Sequence, residues 1–204
     1  GRTVAPEVIG RLLDVVARQG DRLTRLVRDL LDLSRLEANR GPLIEPVDVE
    51  LGALVREVVE GVESDLTRSR CVVSVQGDAE IVGRWDRSRI DQVLTNLLSN
   101  AIKFGAGKSI EISFGSERGM AWLTVRDHGI GIEATERVRI FGRFQRAVSE
   151  RHYGGLGLGL FISRRIVEDH GGSLRCESQV GLGSTFTLRL PCAGPPVRAA
   201  GSNR

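Results

Sequence analysis

Hydrophobic residues recur along this chain with helical spacing in four places. From Ile9 to Leu33, the positions Ile9, Leu12, Val16, Leu23, Leu26, Leu30 and Leu33 follow a heptad a/d register, with Gln19 as one polar interruption. Leu13, Val27 and Leu31 widen that stripe. Pro6 suits a helix start, and Asn39 to Pro42 form a stop signal. The pattern predicts one helix of about thirty residues, whose apolar seam needs a partner surface. A second helical stretch covers VELGALVREVVEGVESDLT (49–67). A third carries Ile90, Val93, Leu94, Leu97, Leu98, Ala101 and Ile102 as one buried stripe. The fourth, LFISRRIVEDH, follows a glycine-rich run.

Between the helices the spacing changes. CVVSVQ (71–76) is β-branched and strand-like. SIEISFGSERGMAWLTVRD predicts a hairpin around a polar turn, and Ala121 to Val125 is its clearest strand. GSLRCESQVGLGSTFTLRLP predicts a second hairpin. These elements assemble into an α+β fold. It is a two-layer α/β sandwich with a mixed, largely antiparallel sheet and three helices on one face, preceded by the long coiled-coil-like helix. The expected boundaries are a helical extension over 1–42, a domain over 43–192 and a flexible tail over 193–204.

Composition narrows the function classes. The chain has 204 residues, 41% hydrophobic and 27% charged, which suits one soluble domain plus an extension. The net charge of +3 would allow a nucleic-acid partner. However, the basic residues are spread among acidic ones and aromatics make up only 4%, so there is no basic stripe or stacking platform, and nucleic acid is not expected. Cys71, Cys176 and Cys192 are scattered without CxxC spacing, which argues against a disulfide framework and against zinc. No apolar run reaches membrane-spanning length and no signal peptide is visible. The expectation is a cytoplasmic segment without membrane contact, any sensor or membrane part lying upstream.

The candidate chemistry lies in four segments that occur in a fixed order. They are DQVLTNLLSNAIKF (91–104), DHGIGI (127–132), GGLGLGL (154–160) and GLGSTF (181–186). Asn96, Asn100 and Lys103 stand at i, i+4 and i+7, on one stripe of their helix. Amide oxygens suit Mg²⁺, and a lysine there can meet a polyphosphate. A solvated polar face is the plain alternative. Asp127 ends a strand, where a carboxylate can accept from an exocyclic amine such as adenine N6. Gly129 and Gly131 would let the backbone approach a flat ring. An Asx turn explains the same residues. Gly154, Gly155, Gly157 and Gly159 lead straight into a helix, whose N-terminal N–H groups favour an anion. The run is neither GxGxxG nor a P-loop.

Together the segments resemble the catalytic, ATP-binding domain of sensor histidine kinases, within the gyrase/histidine-kinase/mismatch-repair ATPase superfamily. NLLSNAIKF is similar to that family's N box, and the three glycine segments are similar to its glycine boxes. IFGRFQR (140–146) is similar to its F box, and RLVRDLLDLSRLEANRG resembles the second helix of its dimerisation and phosphotransfer hairpin. The resemblance implies ATP and Mg²⁺ as cofactors. Asn100 is implied as the metal ligand, with Asn96 supporting metal and phosphates and Lys103 binding phosphate. Phe104 would pack near the nucleotide, and Asp127 would read adenine N6 beside Gly129 and Gly131. Arg146 is implied at the γ-phosphate. Gly155, Leu156, Gly157, Leu158 and Gly159 fall on the phosphate side, and Thr185 near the adenine wall. Residues 145–156 resemble a mobile lid. Phe141 and Phe144 are expected to be core anchors.

Two absences shape the expected function. The family's phosphoacceptor histidine precedes an acidic residue. His128, His152 and His170 are the only histidines and none has that context, so each is expected at the surface or in a helix-capping role. The chain is therefore expected to begin after the first hairpin helix. Hydrolytic relatives place a glutamate in the asparagine helix; the corresponding turn here carries Asn96, with Gln92 a turn earlier, and neither amide can take a proton, so water attack lacks a base. The implied function is a histidine protein kinase core. It would pass the γ-phosphoryl group to a histidine on a hairpin helix, and from there to an aspartate on a response-regulator receiver domain. The N-terminal helix would form a homodimer. The alternatives are a catalytically inactive nucleotide-binding regulatory module and, third, an anti-sigma-type serine kinase, against which the long heptad helix argues.

Overall fold

The computed structural model describes residues 44–77, 80–105, 107–145 and 156–195, with positions 16, 19, 20, 23, 24, 27, 30–32 and 34 near the N-terminus. The chain separates into two compact units, Gly1–Pro42 and Leu43–Arg204. In the first unit every described position is helical. Val16, Leu23 and Leu30 of the heptad register, with Val27 and Leu31, are exposed within that unit. The other seam residues, Pro6 and the 39–42 stop signal lie outside the described residues.

The second unit begins with β1 (Val47–Glu50), α1 (Leu51–Gly61) and α2 (Glu63–Ser69). The stretch expected as one helix over 49–67 is therefore three elements. Glu50 ends the strand and caps α1, its carboxylate accepting from the Gly52 and Ala53 N–H groups at 2.7 and 2.6 Å. Val62 then leaves helical geometry (φ −111°, ψ 10°) and separates α1 from α2. There follow β2 (Val73–Gly77), β3 (Val82–Trp85) and α3 (Arg87–Gly105), then β4 (Ile110–Glu117), β5 (Met120–Asp127) and the single-turn α4 (Glu136–Arg139). The last elements are α5 (Gly159–Asp169), β6 (Ser173–Gln179) and β7 (Gly183–Pro191).

Five strands form the main sheet in the order β2-β4-β5-β7-β6. β2 pairs parallel to β4 and the other pairs are antiparallel, so the sheet is mixed as expected. Both hairpins fall where the alternation of the sequence placed them. Strand alternation puts Ile110, Ile112, Phe114, Leu123, Val125, Phe186 and Leu188 on one face, and all are buried. α3 and α5 cover this face, α3 with a fully apolar stripe from Ile90 to Ile102, and α1 packs against α3 with Gly52 next to the Phe114 ring. Each such side chain, buried whole, contributes about 1.5–3 kcal/mol.

The two-stranded sheet of β1 and β3 had no sequence signal. Each strand is only four residues long, too short to show a period. It is anchored through Trp85, which is fully buried and donates Nε1–H to the Pro191 carbonyl at 2.8 Å. Phe141 is a core anchor, edge-on to Phe186 at 6.5 Å between centroids. Phe144 is not. It is 59% exposed, at a residue whose φ of 58° lies in the left-handed region. His170 takes the helix-capping role, one of the two expected of it, as the C-cap of α5, and it is completely buried there.

Candidate functional site

α3 is the spine of the site. Asp86 starts it, accepting from the Arg89 N–H at 3.1 Å and from the Ser88 hydroxyl at 2.9 Å. Beside the buried stripe, Asn96, Asn100, Lys103 and Phe104 are half-buried. Asn96 donates Nδ2–H to the Ser163 hydroxyl on α5 at 2.9 Å. A methyl group on Gly159 would lie 2.3 Å from Asn96 Oδ1, so the carboxamide fits only because residue 159 has no side chain. The Asn100 side chain has no hydrogen-bond partner among the described residues. Lys103 Nζ stands 4.8 Å from the centroid of the Phe104 ring.

The N-terminus of α5 closes this end. Gly157 (φ 71°) turns the chain, and Leu158 is buried as the residue before the helix. Among the described residues no side chain caps α5, and its first turn carries no acid. Its leading N–H groups have no side-chain cap among the described residues, and the positive end of the helix dipole lies behind them. Leu156 is 45% exposed just ahead of that turn.

Asp127 forms the other end. It closes β5 on the helix-covered face and is only 5% exposed. Its Oδ1 accepts from the Gly129 N–H at 2.8 Å. Burial raises the carboxyl above its usual value, outweighing the Gly129 and Ser184 amides and the charges of His128 and Lys108, which all favour the anion. The same burial, with Asp127 nearby, pushes the Cys176 thiol up to about 12, so it stays protonated.

Gly129 and Gly131 are points of close backbone packing. A Cβ on Gly129 would lie 2.0 Å from the Phe104 carbonyl oxygen, and one on Gly131 (φ 70°) would lie 2.0 Å from that of Gln179. The Ile130 N–H reaches the Phe104 carbonyl at 3.3 Å, and the Gly181 N–H reaches the Ile130 carbonyl at 2.8 Å. The DHGIGI turn is thus fastened to the last turn of α3 on one side and to the β6–β7 hairpin on the other. From Phe104 back to Asn96 the helix rises about 12 Å, the length scale of a nucleoside with its phosphates.

Thr185 is not beside Asp127. In the β5–β7 register Asp127 faces Ser184 and Thr185 faces Arg126, and successive residues point to opposite sides of a sheet. Ser184 is the buried partner on the site face. Arg146 and Gly155 lie outside the described residues.

With this geometry in view, residues 85–194 match the family described as histidine kinase-, DNA gyrase B-, and HSP90-like ATPase. The segment holds every described residue of the site. The circadian input-output histidine kinase CikA of Synechococcus elongatus is 36% identical over 179 residues, 84% of this chain and 24% of that protein. The solved catalytic domain of histidine kinase ThkA is 29% identical with a TM-score of 0.66, over 73% of this chain and 97% of that one. ThkA has also been solved in complex with the response regulator protein TrrA, where identity is 26% and TM-score 0.69 over 94% of this chain and 53% of that one. Full-length ShkA in complex with AMPPNP is 25% identical with a TM-score of 0.76, over 98% and 42%.

The chain is a sensor-histidine-kinase ATPase domain. It spans about a quarter of the length of CikA. Two residues of this kinase domain's site escaped the sequence reading. Ser163 holds Asn96 from 67 residues away, and no spacing in the sequence links them. Ser184 bonds to Ser178, whose hydroxyl also accepts from the Ile132 N–H at 2.8 Å and donates to the Gly183 carbonyl at 2.8 Å. Ser178, Ser184 and Asp127 lie in register across β6, β7 and β5. The only legible signal for Ser184 was strand alternation counted from Phe186. Neither described histidine is an open nucleophile in the kinase domain. His128 Nε2 pairs with Glu111 at 2.8 Å, and His170 is buried. Among the described residues no helix is long and apolar enough to cross a membrane.

Proposed function

We propose that this chain is the catalytic core of a two-component histidine kinase, binding Mg·ATP and donating its γ-phosphoryl group to a histidine on a hairpin helix. One observation carries the reading. A buried carboxylate, Asp127, stands by the C-terminal end of α3, and the N-terminus of α5, without a side-chain cap among the described residues, is pressed against Asn96 midway along α3. Asp127 accepts the adenine N6–H, and its raised pKa reflects a carboxylate held in a dry site. The first N–H groups of α5, with Gly157 and Gly159, receive the phosphates. Lys103 lies on the Asn96 stripe, and Arg146 completes the charge at the γ-phosphate.

The donor set fits magnesium. Asn100 offers an unengaged neutral amide oxygen, and no group of three His, Cys, Asp or Glu among the described residues forms a cage for another metal. A hard ion that keeps waters and phosphate oxygens as its remaining ligands suits such a site. Bound there, it would supply charge neutralisation to the phosphates.

The acceptor imidazole nitrogen forms a bond to the γ-phosphorus as the bond to the β,γ-bridging oxygen breaks, and ADP leaves. This transfer needs placement and neutralised charge more than covalent help. Asn96 and Gln92 cannot act as bases, and Gln92 accepts from Arg89 at 3.0 Å. Water attack is correspondingly slow. The phosphoryl group then passes to a receiver-domain aspartate, a partnership supported by the ThkA complex with TrrA. The exposed Val16–Leu23–Leu30 seam supports a homodimer through the N-terminal helix, and the chain would work as the cytoplasmic part of a sensor.

The test is to mix the chain with radiolabelled ATP, Mg²⁺ and a separately made hairpin carrying the histidine. Acid-labile, base-stable label on the hairpin supports the reading. Tight nucleotide binding with no transfer would instead make this a regulatory module, and no Mg²⁺-dependent binding would remove the reading altogether.

A further inference from the structure

Asn96 is held from both sides by α5. Its amide nitrogen donates to Ser163 Oγ at 2.9 Å, and its amide oxygen lies over the Cα of Gly159 in the first turn. Ser163 is 2% exposed, so its hydroxyl is shielded from water and its acceptor capacity is spent inside the fold. The two ends of a carboxamide have the same size, so packing alone does not choose between them. A serine hydroxyl can meet either end, so the choice comes from both sides together: Ser163 Oγ accepts from the NH₂, and the positive dipole end of α5 at Gly159 favours the oxygen.

We propose that Ser163 is a positioning residue for the nucleotide site. By holding Asn96 through its NH₂ group, it presents the carboxamide oxygen at the N-terminus of α5, where Mg²⁺ waters and phosphates gather. The inference rests on the nucleotide reading given above and adds a residue to it. The physical logic has three parts. An oxygen at that place is favoured by the helix dipole and by the leading N–H groups of α5. The same oxygen can accept from a metal-bound water, whereas an NH₂ group turned outward could not. Gly159 leaves the slot that admits the oxygen, since any side chain there would fill it. Ser163 and Gly159 stand one helical turn apart on α5 and so act on the same carboxamide. Without Ser163, the NH₂ group loses its buried acceptor, and the carboxamide turns to find another.

The experiment measures binding of trinitrophenyl-ATP to the whole chain over a magnesium titration, with and without a chelator, alongside thermal melts. Ser163→Ala should raise the magnesium concentration for half-maximal binding about tenfold, the equivalent of one lost buried hydrogen bond. Binding with chelator present should change less than twofold. Ser163→Thr keeps the acceptor hydroxyl and should restore the magnesium dependence even if its extra methyl lowers the melting temperature. The proposal is overturned if Ser163→Ala titrates with magnesium like the wild type. It is also overturned if Ser163→Ala weakens binding equally with and without magnesium while the melting temperature falls, which is a packing effect alone. Failure of the wild-type chain to bind nucleotide at any magnesium concentration would remove the functional reading, and the role of Ser163 with it.

Discussion

His170 Nε2 accepts the backbone N–H of Asp86 at 3.0 Å, across 84 residues of sequence. Its Nδ1–H donates to the Ile166 carbonyl at 2.7 Å. The two bonds require a neutral ring in one tautomer. They tie the last turn of α5 to the residue that caps α3, so the two helices of the site are joined at this end as well as at Asn96.

Protonation of His170 would set a second N–H against that of Asp86. Burial holds its pKa below the ordinary 6.5, against the pull of the Asp86 and Asp169 carboxylates and with the help of Arg89. The unfolded chain therefore takes up a proton first as pH falls. The contribution of His170 is fully present above about pH 6.5 and is lost as pH drops from there toward its folded value. Urea unfolding of the wild type minus that of His170→Gln should show this loss below pH 6.5 and a constant difference above it. A difference independent of pH would refute the neutral bridge.

Asp127 has the opposite sign. Its folded pKa is raised above 3.8, so its contribution favours the fold in acid and vanishes as pH climbs through the raised value. Asp127→Asn keeps an acceptor for Gly129 and removes the buried charge. The apo protein should melt no lower than wild type at neutral pH. ATP affinity measured calorimetrically should fall on the order of 10- to 100-fold, as expected for a lost hydrogen bond to a charged group.

Gly159→Ala should displace Asn96. The new methyl has only 2.3 Å to the carboxamide oxygen, so either the side chain or α5 must shift. Overpacking of this kind costs about 1–3 kcal/mol, visible in urea unfolding, together with at least a tenfold loss in nucleotide affinity. Gly61→Ala is the control. Nothing stands within 4 Å of its added methyl, and its stability should stay level or rise slightly.

Ser184→Ala and Thr185→Ala should separate cleanly in a nucleotide titration. Ser184 lies on the Asp127 side and bonds to Ser178, which also holds the Ile132 amide. Its loss should weaken ATP binding several-fold. Thr185 lies on the other face, opposite Arg126 and Glu177, and its loss should leave affinity within about twofold. Equal effects would contradict the strand register.

Much of the protein could be read from local pattern. The α3 stripe from Ile90 to Ile102, the two hairpins and the order of the asparagine and glycine segments all declare themselves by spacing, because helices and strands repeat every 3.6 and 2 residues. The glycines were legible as necessary residues, but the backbone they pack against was not. Only in three dimensions does Gly129 meet the Phe104 carbonyl and Gly131 that of Gln179. β1 and β3 were too short to carry a period, and Phe144, expected inside, is turned out by a left-handed φ that no apolar pattern encodes. The chain alone determined which elements form and which chemistry-bearing residues lie on them. Tertiary structure decided which of these meet: Asn96 with Ser163, His170 with Asp86, and Ser184 in place of Thr185 with Asp127. Such contacts join segments tens of residues apart, and a periodicity within one element holds no record of the partner that another element brings to it.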